Sequence, residues 1–333
     1  MSPAVPDRNS SPRLLVYALG GGFGHLTRSY ALARKLAPEW RVRILCHARA
    51  AAMFPALDGV ELVPLESKDS RVLDDVRREI SCAEFDALLV DTFPRGICGE
   101  IADLLPGLAV PRCFVHRDLN PHYVARYELR RFIDVFDCIF VPGEAAPFED
   151  HPRAFRTSRW LARDAGELFS RTEARRHLAV DDDRPLAVVI ACGTPDECRE
   201  MADLASEITE DSKVAVRLAS RESEISSRAK LVSYWPLIEC LPGVDLLLGQ
   251  GGYNTVSEAR AAGVPLLAIP RERTYDRQAR RLRQEEIAID RASLVRAFRA
   301  LDWDAMRGAR RDPVYENGAN EAVRVLRGVV AGQ

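Results

Sequence analysis

No run of apolar residues in the 333-residue sequence approaches the roughly 18 needed to cross a membrane, so no transmembrane segment is expected. Charge of either sign is not in excess: 47 Lys and Arg face 49 Asp and Glu, for a formal net charge of −2. That balance leaves no global basic surface, and nucleic acid is not expected as a partner. The eight cysteines form no Cys-x-x-Cys pair, and several stand inside apolar runs such as CIFVP and VVIACG. Small buried thiols fit this pattern better than disulfides or zinc. The opening MSPAVPDRNSSP lacks the apolar core of a signal peptide. A disordered leader over residues 1–12 and a cytoplasmic location are therefore expected.

What the chain does contain is enough apolar material, 47% of its residues, for about two domains of ordinary size. Short apolar runs alternate with helical patterns along most of its length, which predicts a parallel α/β fold. Strands are expected at 13–19, 41–46, 60–63, 86–91, 111–115 and 138–142. A second set is expected at 185–192, 213–219, 231–235, 245–249 and 265–270. Between the sets lies a stretch rich in Pro, Gly and charge. This predicts a boundary near residue 163, with one Rossmann-like domain over 13–162 and another over 163–333.

The two halves echo each other in one respect. Each has a strand, then glycines, then a helix with a polar first turn: LVYALGGGFGHLTRS and LLLGQGGYNTVSEAR. Glycine lets the backbone approach a ligand closely, and the helix start aims N–H groups at an anion. In the second stretch the donors of Tyr253, Asn254 and Thr255, after Gly251 and Gly252, suit a diphosphate. Glu258 follows one turn later, where a carboxylate can accept both hydroxyls of a ribose. The Asp-x-Asp within residues 181–183 stands in a turn before a strand and reads as a solvated loop rather than a metal site.

The stretch DLLLGQGGYNTVSEARAAGVPLLAIPRERTYDRQARRL resembles the donor-binding block of GT-B glycosyltransferases of the MurG type, those with a family 28 C-terminal domain. GGGFGHLTR is similar to that family's GxGHxxR, LLVDTFPRGICGE to its D-x-x-P-x-G segment and VHRDLNP to its R-D segment. The resemblance spans about residues 13–331 and implies two Rossmann-like domains facing a central cleft. It further implies a nucleotide diphosphate sugar as donor, uridine diphosphate sugar first, held by Gly251–Thr255 and by Glu258 at the ribose. Asp276 and Gln278 would touch the sugar, Arg271 would balance charge, and LVSYWPL would hold the base through backbone groups. Neither metal nor other cofactor is implied. One departure stands out, because ACGTPDECRE replaces the family's small-residue loop and leaves only Gly193 and Thr194 as small donors. Pro195 removes an N–H there, and Asp196 and Glu197 bring negative charge. Arg277, Arg280, Arg281 and Arg283 read as a solvated helix face.

His25 stands where the first glycine turn becomes a helix, beside Gly22 and Gly24. Histidine is the side chain that ordinarily changes charge near neutral pH, so His25 is a candidate general base, and equally a polar residue capping its helix. Asp91, at the end of the run DALLVD, is expected on the same rim, as orienter of His25, as the base itself, or as a turn cap. Arg28 is a candidate for holding an acceptor or a diphosphate, and His116, Arg117 and Asp118 for lining the acceptor side. The expected activity is metal-independent sugar transfer to the hydroxyl of an acceptor that the sequence does not identify, and the resemblance to the MurG type implies that it inverts. The alternatives are a nucleotide-sugar hydrolase of the same fold and a non-catalytic sugar-nucleotide-binding protein.

Overall fold

The computed structural model describes residues 11–20, 22–65, 71–221, 225–308 and 312–332. Residues 1–10 of the expected leader, and Gly21 of the first glycine turn, lie outside the described residues. Seven parallel strands form a first sheet: β1 (Arg13–Tyr17), β2 (Arg41–His47), β3 (Val60–Leu65), β4 (Ala87–Asp91), β5 (Arg112–Val115), β6 (Cys138–Pro142) and β7 (Ala154–Thr157). Their spatial order is β3-β2-β1-β4-β5-β6-β7. The chain thus winds outward from β1 in one direction, then returns to β4 at β1's other side and winds away. Ligands of open parallel sheets bind outside the carboxyl ends of the strands at such a reversal.

Both faces of this sheet's inner strands are covered, which is why those strands read as continuous apolar runs rather than alternating ones. Leu14 and Val16 of β1 join one buried layer, and Leu15 and Tyr17 join the opposite layer. A second sheet of five parallel strands repeats the design: β8 (Leu186–Ile190), β9 (Ala215–Ala219), β10 (Lys230–Val232), β11 (Leu246–Gly249) and β12 (Leu266–Ala268). Its order is β10-β9-β8-β11-β12, reversing between β8 and β11. The expected α/β class with two Rossmann-like sheets is the observed one.

Two crossings join the halves. The chain passes to the second sheet through 158–164 and returns through 315–318. Asn317 ties the crossings together: its Oδ1 accepts from the Leu161 amide at 3.1 Å and its Nδ2 donates to the Leu161 carbonyl at 2.8 Å. The last helix, Gly318–Ala331, then buries Ala319, Ala322, Val323 and Leu326 in the layer that contains Leu14 and Val16. That helix was expected with the residues after 163, yet its apolar face completes the first sheet's core.

Candidate active site

The helix after β1, Phe23–Leu36, carries His25 in its first turn and Arg28 one turn on. β4 lies next to β1 at the sheet's reversal, so its last residue, Asp91, arrives beside them. His25 Nδ1 is 2.6 Å from Asp91 Oδ2. Arg28 donates from Nε to Oδ1 at 2.8 Å and from Nη2 to Oδ2 at 2.7 Å, and the Thr92 hydroxyl donates to Oδ2 at 3.1 Å. Asp91 and Arg28 are fully buried. Burial alone would raise the carboxyl's pKa, but the Arg28 charge and the His25 contact outweigh it and hold Asp91 down to about 2. His25 keeps Nε2 free of protein partners among the described residues, stacks on Phe93 at 5.4 Å, and leaves 14% of its side chain exposed. Gly20 is required here, since a Cβ on it would lie 2.2 Å from His25 Nε2.

In the second sheet the helix Tyr253–Ala262 follows β11 through the other glycine turn. Gly251 is packed on Gln278, whose Cβ would be 2.9 Å from any Cβ at that position. Asn254, Thr255 and Glu258 line a cavity of about 140 Å³ that also touches Cys192, Arg221, Tyr234 and Trp235 of the second sheet and Phe23, Thr27 and Phe54 of the first half. Glu258 makes no hydrogen bond or ion pair with any described residue. Its carboxyl opens on the cavity but is packed round by protein, and this desolvation pushes its pKa up to about 8. The two glycine turns meet, with Asn254 Nδ2 donating to the Gly24 carbonyl at 3.4 Å.

The helix ends distinguish these turns from the rest. Five helices of nine or more residues have a described N-cap: Phe23–Leu36, Pro195–Ile208, Tyr253–Ala262, Arg291–Arg299 and Gly318–Ala331. Side chains of Thr194, Asp290 and Asn317 close three of them. The two after the glycine turns start at Gly22 and Gly252, with no side-chain cap and no acidic residue in the first turn. Their terminal N–H groups and positive dipole ends are left for another partner.

The turn after β8 behaves oppositely. Glu197 accepts from the Thr194 amide at 2.9 Å, closing the helix end on itself, and Arg273 grips the same carboxylate at 2.6 and 2.9 Å. Gly193 and Thr194 do not line the cavity. Nor do three others expected around the donor. Arg271 pairs with Glu200 at 2.5 Å, Gln278 accepts from the Arg271 amide at 2.9 Å, and Asp276 pairs with Arg281 at 2.5 Å.

Several residues expected to line the cleft or to be solvated also hold the halves together, around a second cavity of about 220 Å³ that Asp118, Glu144, Tyr253 and Arg281 line. Tyr253 is buried, donates to the Pro142 carbonyl at 2.8 Å, and lies beneath the guanidinium groups of Arg28 and Arg117 at 5.0 and 4.4 Å. Asp118 accepts from Arg277 Nε at 3.0 Å, and Glu144 pairs with Arg281 and with Arg117. Arg277 and Arg281 therefore do not form a solvated face; Arg281 is only 6% exposed, and Arg280 is the more open at 59%. His116 is fully buried between Phe114 and Phe148, and its Nε2 accepts from the Phe148 amide at 3.2 Å. Burial pulls its pKa down to about 3, and it faces no cleft.

Residue-by-residue reading missed the aromatic frame. Phe93, two residues after Asp91, braces His25 and meets Tyr275 of the second half at 5.1 Å. Thr92 adopts a left-handed φ of 65° while serving Asp91. The only advance signal was position, immediately after the aspartate in DTFPRG. A larger cavity, about 460 Å³, opens at the opposite end of the first sheet beside Arg13, Arg43 and Glu61. It lies where strands begin, not at the carboxyl ends where open sheets place their sites.

No family model matches the chain, and no curated protein matches it. Solved structures do match. A UDP-glucosyltransferase from Polygonum tinctorium is 12% identical, over 97% of this chain and 100% of that one, with a TM-score of 0.64. CalG4, the calicheamicin glycosyltransferase, is 17% identical over 97% and 99%, with a TM-score of 0.59. MurG of Acinetobacter baumannii is 13% identical over 95% and 99%, with a TM-score of 0.56. These likenesses run the length of both partners and show the GT-B architecture of two facing α/β units.

Proposed function

We propose that this chain is a glycosyltransferase of the MurG type that moves a sugar from a nucleotide diphosphate sugar, uridine diphosphate sugar first, to an acceptor hydroxyl. The observation that carries this reading is the meeting of two uncapped helix starts, one bearing a buried His25–Asp91 pair and the other a partnerless Glu258. The N–H groups at the start of Tyr253–Ala262 take the diphosphate, and their dipole stabilises the charge that grows on it as the leaving group. This supplies countercharge from the protein itself and supports a metal-independent reaction. Glu258, as carboxylate, accepts the two ribose hydroxyls.

His25 is the general base. With Nδ1–H donating to Asp91, the Nε2 lone pair is free to take the acceptor's proton as its oxygen attacks the anomeric carbon. Asp91 orients the ring and stabilises the imidazolium that forms, the role an aspartate plays in a hydrolytic triad. It is not the base, because Arg28, Thr92 and His25 occupy both its oxygens and it has little affinity for a proton. Attack from the face opposite the diphosphate inverts the anomeric centre. The test is release of nucleoside diphosphate from a panel of nucleotide sugars, with and without candidate acceptors. Acceptor-dependent release supports transfer, acceptor-independent release at the same rate supports hydrolysis, and binding without release supports a sensor.

A further inference from the structure

One charged side chain on the cavity wall has no part in the reading above. Arg221 follows β9 and faces the cavity together with Trp235 and Phe54. Its guanidinium lies 5.8 Å from the Trp235 ring centre and 6.0 Å from that of Phe54. No described carboxylate or carbonyl receives any of its N–H groups, and Nη1 is buried without a partner. Other arginines nearby are satisfied. Arg163, also beside Trp235, pairs with Glu239, and Arg217, on the same strand as Arg221's approach, donates to the carbonyls of Leu178 and Val216. Burial pulls the Arg221 pKa below its ordinary value with no opposing charge, although a guanidinium stays protonated. A partnerless buried donor costs free energy unless something fills it.

The order of groups along the wall says what that is. Along the carboxyl edge of the second sheet, β11 leads into the helix start with Asn254, Thr255 and then Glu258, while β9 and β10, on the far side of β8, lead into Arg221 and into the Tyr234–Leu237 turn. With the diphosphate at the helix start and the ribose at Glu258, the base falls against Arg221 and that turn. We propose that Arg221 reads the nucleobase by donating from its guanidinium to the carbonyl oxygen at position 4 of the ring, so that the site takes uracil and rejects cytosine, which presents an amino group there. Guanidinium has donors only, so an amino group facing it leaves two donors opposed and both unpaired. This inference rests on the donor-site reading.

Uridine and cytidine diphosphate separate the two readings, since they differ only at one edge of the base. Titration calorimetry of the full chain should show uridine diphosphate bound about 10- to 100-fold more tightly than cytidine diphosphate, the range for a charged hydrogen bond. Arg221→Ala should close the gap from both sides, weakening uridine diphosphate and leaving cytidine diphosphate no weaker than before. Arg221→Lys, which keeps charge but not the fork, should lose most of the preference with an unaltered melting temperature. Equal weakening of both nucleotides in Arg221→Ala would make Arg221 a phosphate or structural contact and overturn the proposal. Equal binding of both by the unaltered chain would overturn base reading and leave the donor site standing. Binding of neither would overturn both.

Discussion

In the first half the buried carboxylate at the heart of the site is fully paired, whereas in the second two ionisable side chains on the cavity wall have no ion-pair partner among the described residues. Around Asp91, every carboxylate oxygen is taken by Arg28, His25 or Thr92. Across the cleft, Glu258 and Arg221 face one cavity with no ion-pair partner among the described residues. A saturated cluster fixes a geometry, whereas an open charge stores binding capacity that only a ligand can discharge. Under the proposed function the contrast puts chemistry in the first half and recognition in the second, and substitutions on either side can break that division.

The largest effect is expected at Asp91. Asp91→Ala strands a fully buried Arg28, and removal of one partner from such a pair costs about 3–5 kcal/mol of stability. Denaturant unfolding measures it; an unchanged midpoint would mean the cluster is not structurally coupled. The pair also sets acid behaviour. The folded pKa near 2 lies below the ordinary carboxylate value of about 3.9, so its contribution is complete above that value and drains away as pH falls toward 2. In Asp91→Asn that part of the acid sensitivity should vanish.

Next comes His25, where the effect falls on rate rather than fold. His25→Ala should lower turnover about 10²- to 10⁴-fold while nucleotide affinity, measured by calorimetry, stays where it was. Loss of affinity in step with rate would move His25 to the binding side of the comparison. Wild-type turnover would reduce it to a residue of the helix start.

Glu258 should behave as the mirror image. Glu258→Ala removes a carboxyl left unpaired at desolvation cost, so stability should hold or rise while nucleotide affinity falls by about 1.5–3 kcal/mol. The free carboxyl has a pKa raised to about 8, and ribose hydroxyls favour its ionised form. Binding therefore expels a proton, and affinity should climb with pH until it levels above about 8. Glu258→Gln should flatten that climb. A pH-independent affinity in the unaltered chain would show that Glu258 does not meet the nucleotide.

How much of this contrast the sequence disclosed follows from how each interaction is encoded. Eleven strands announce themselves because covered sheets need unbroken apolar runs; β7 does not, because Phe155 and Arg156 on that edge are exposed. His25, Asp91 and Glu258 were legible from their places at strand and helix ends, which topology alone brings to a cleft. The clasp was not. Arg277 meets Asp118 across 159 residues and Arg281 meets Glu144 across 137, and no local pattern distinguishes an arginine paired at that range from a solvated one. Arg28 looked like a ligand-holding cation for the same reason, although its partner is a carboxylate 63 residues away. The last helix is amphipathic by its sequence, but amphipathicity does not say which sheet receives the apolar face.

The smallest effect is expected at the turn after β8, which has the glycine of a ligand loop and the self-sufficiency of a structural one. Glu197 occupies the helix end that an anion would otherwise seek, and Arg273 neutralises it. Burial opposes its charge, but the Arg273 and Thr194 contacts outweigh that and keep its pKa below the ordinary value. Glu197→Ala should therefore cost stability on the scale of a lost cap, about 0.5–2 kcal/mol, and leave nucleotide affinity unchanged. The alternative outcome is equally legible. If removing this carboxylate tightens nucleotide binding, then Glu197 has been holding a phosphate's place, the third turn belongs with the open charges of the second half, and the division drawn here between closed and open helix starts has to be redrawn to include it.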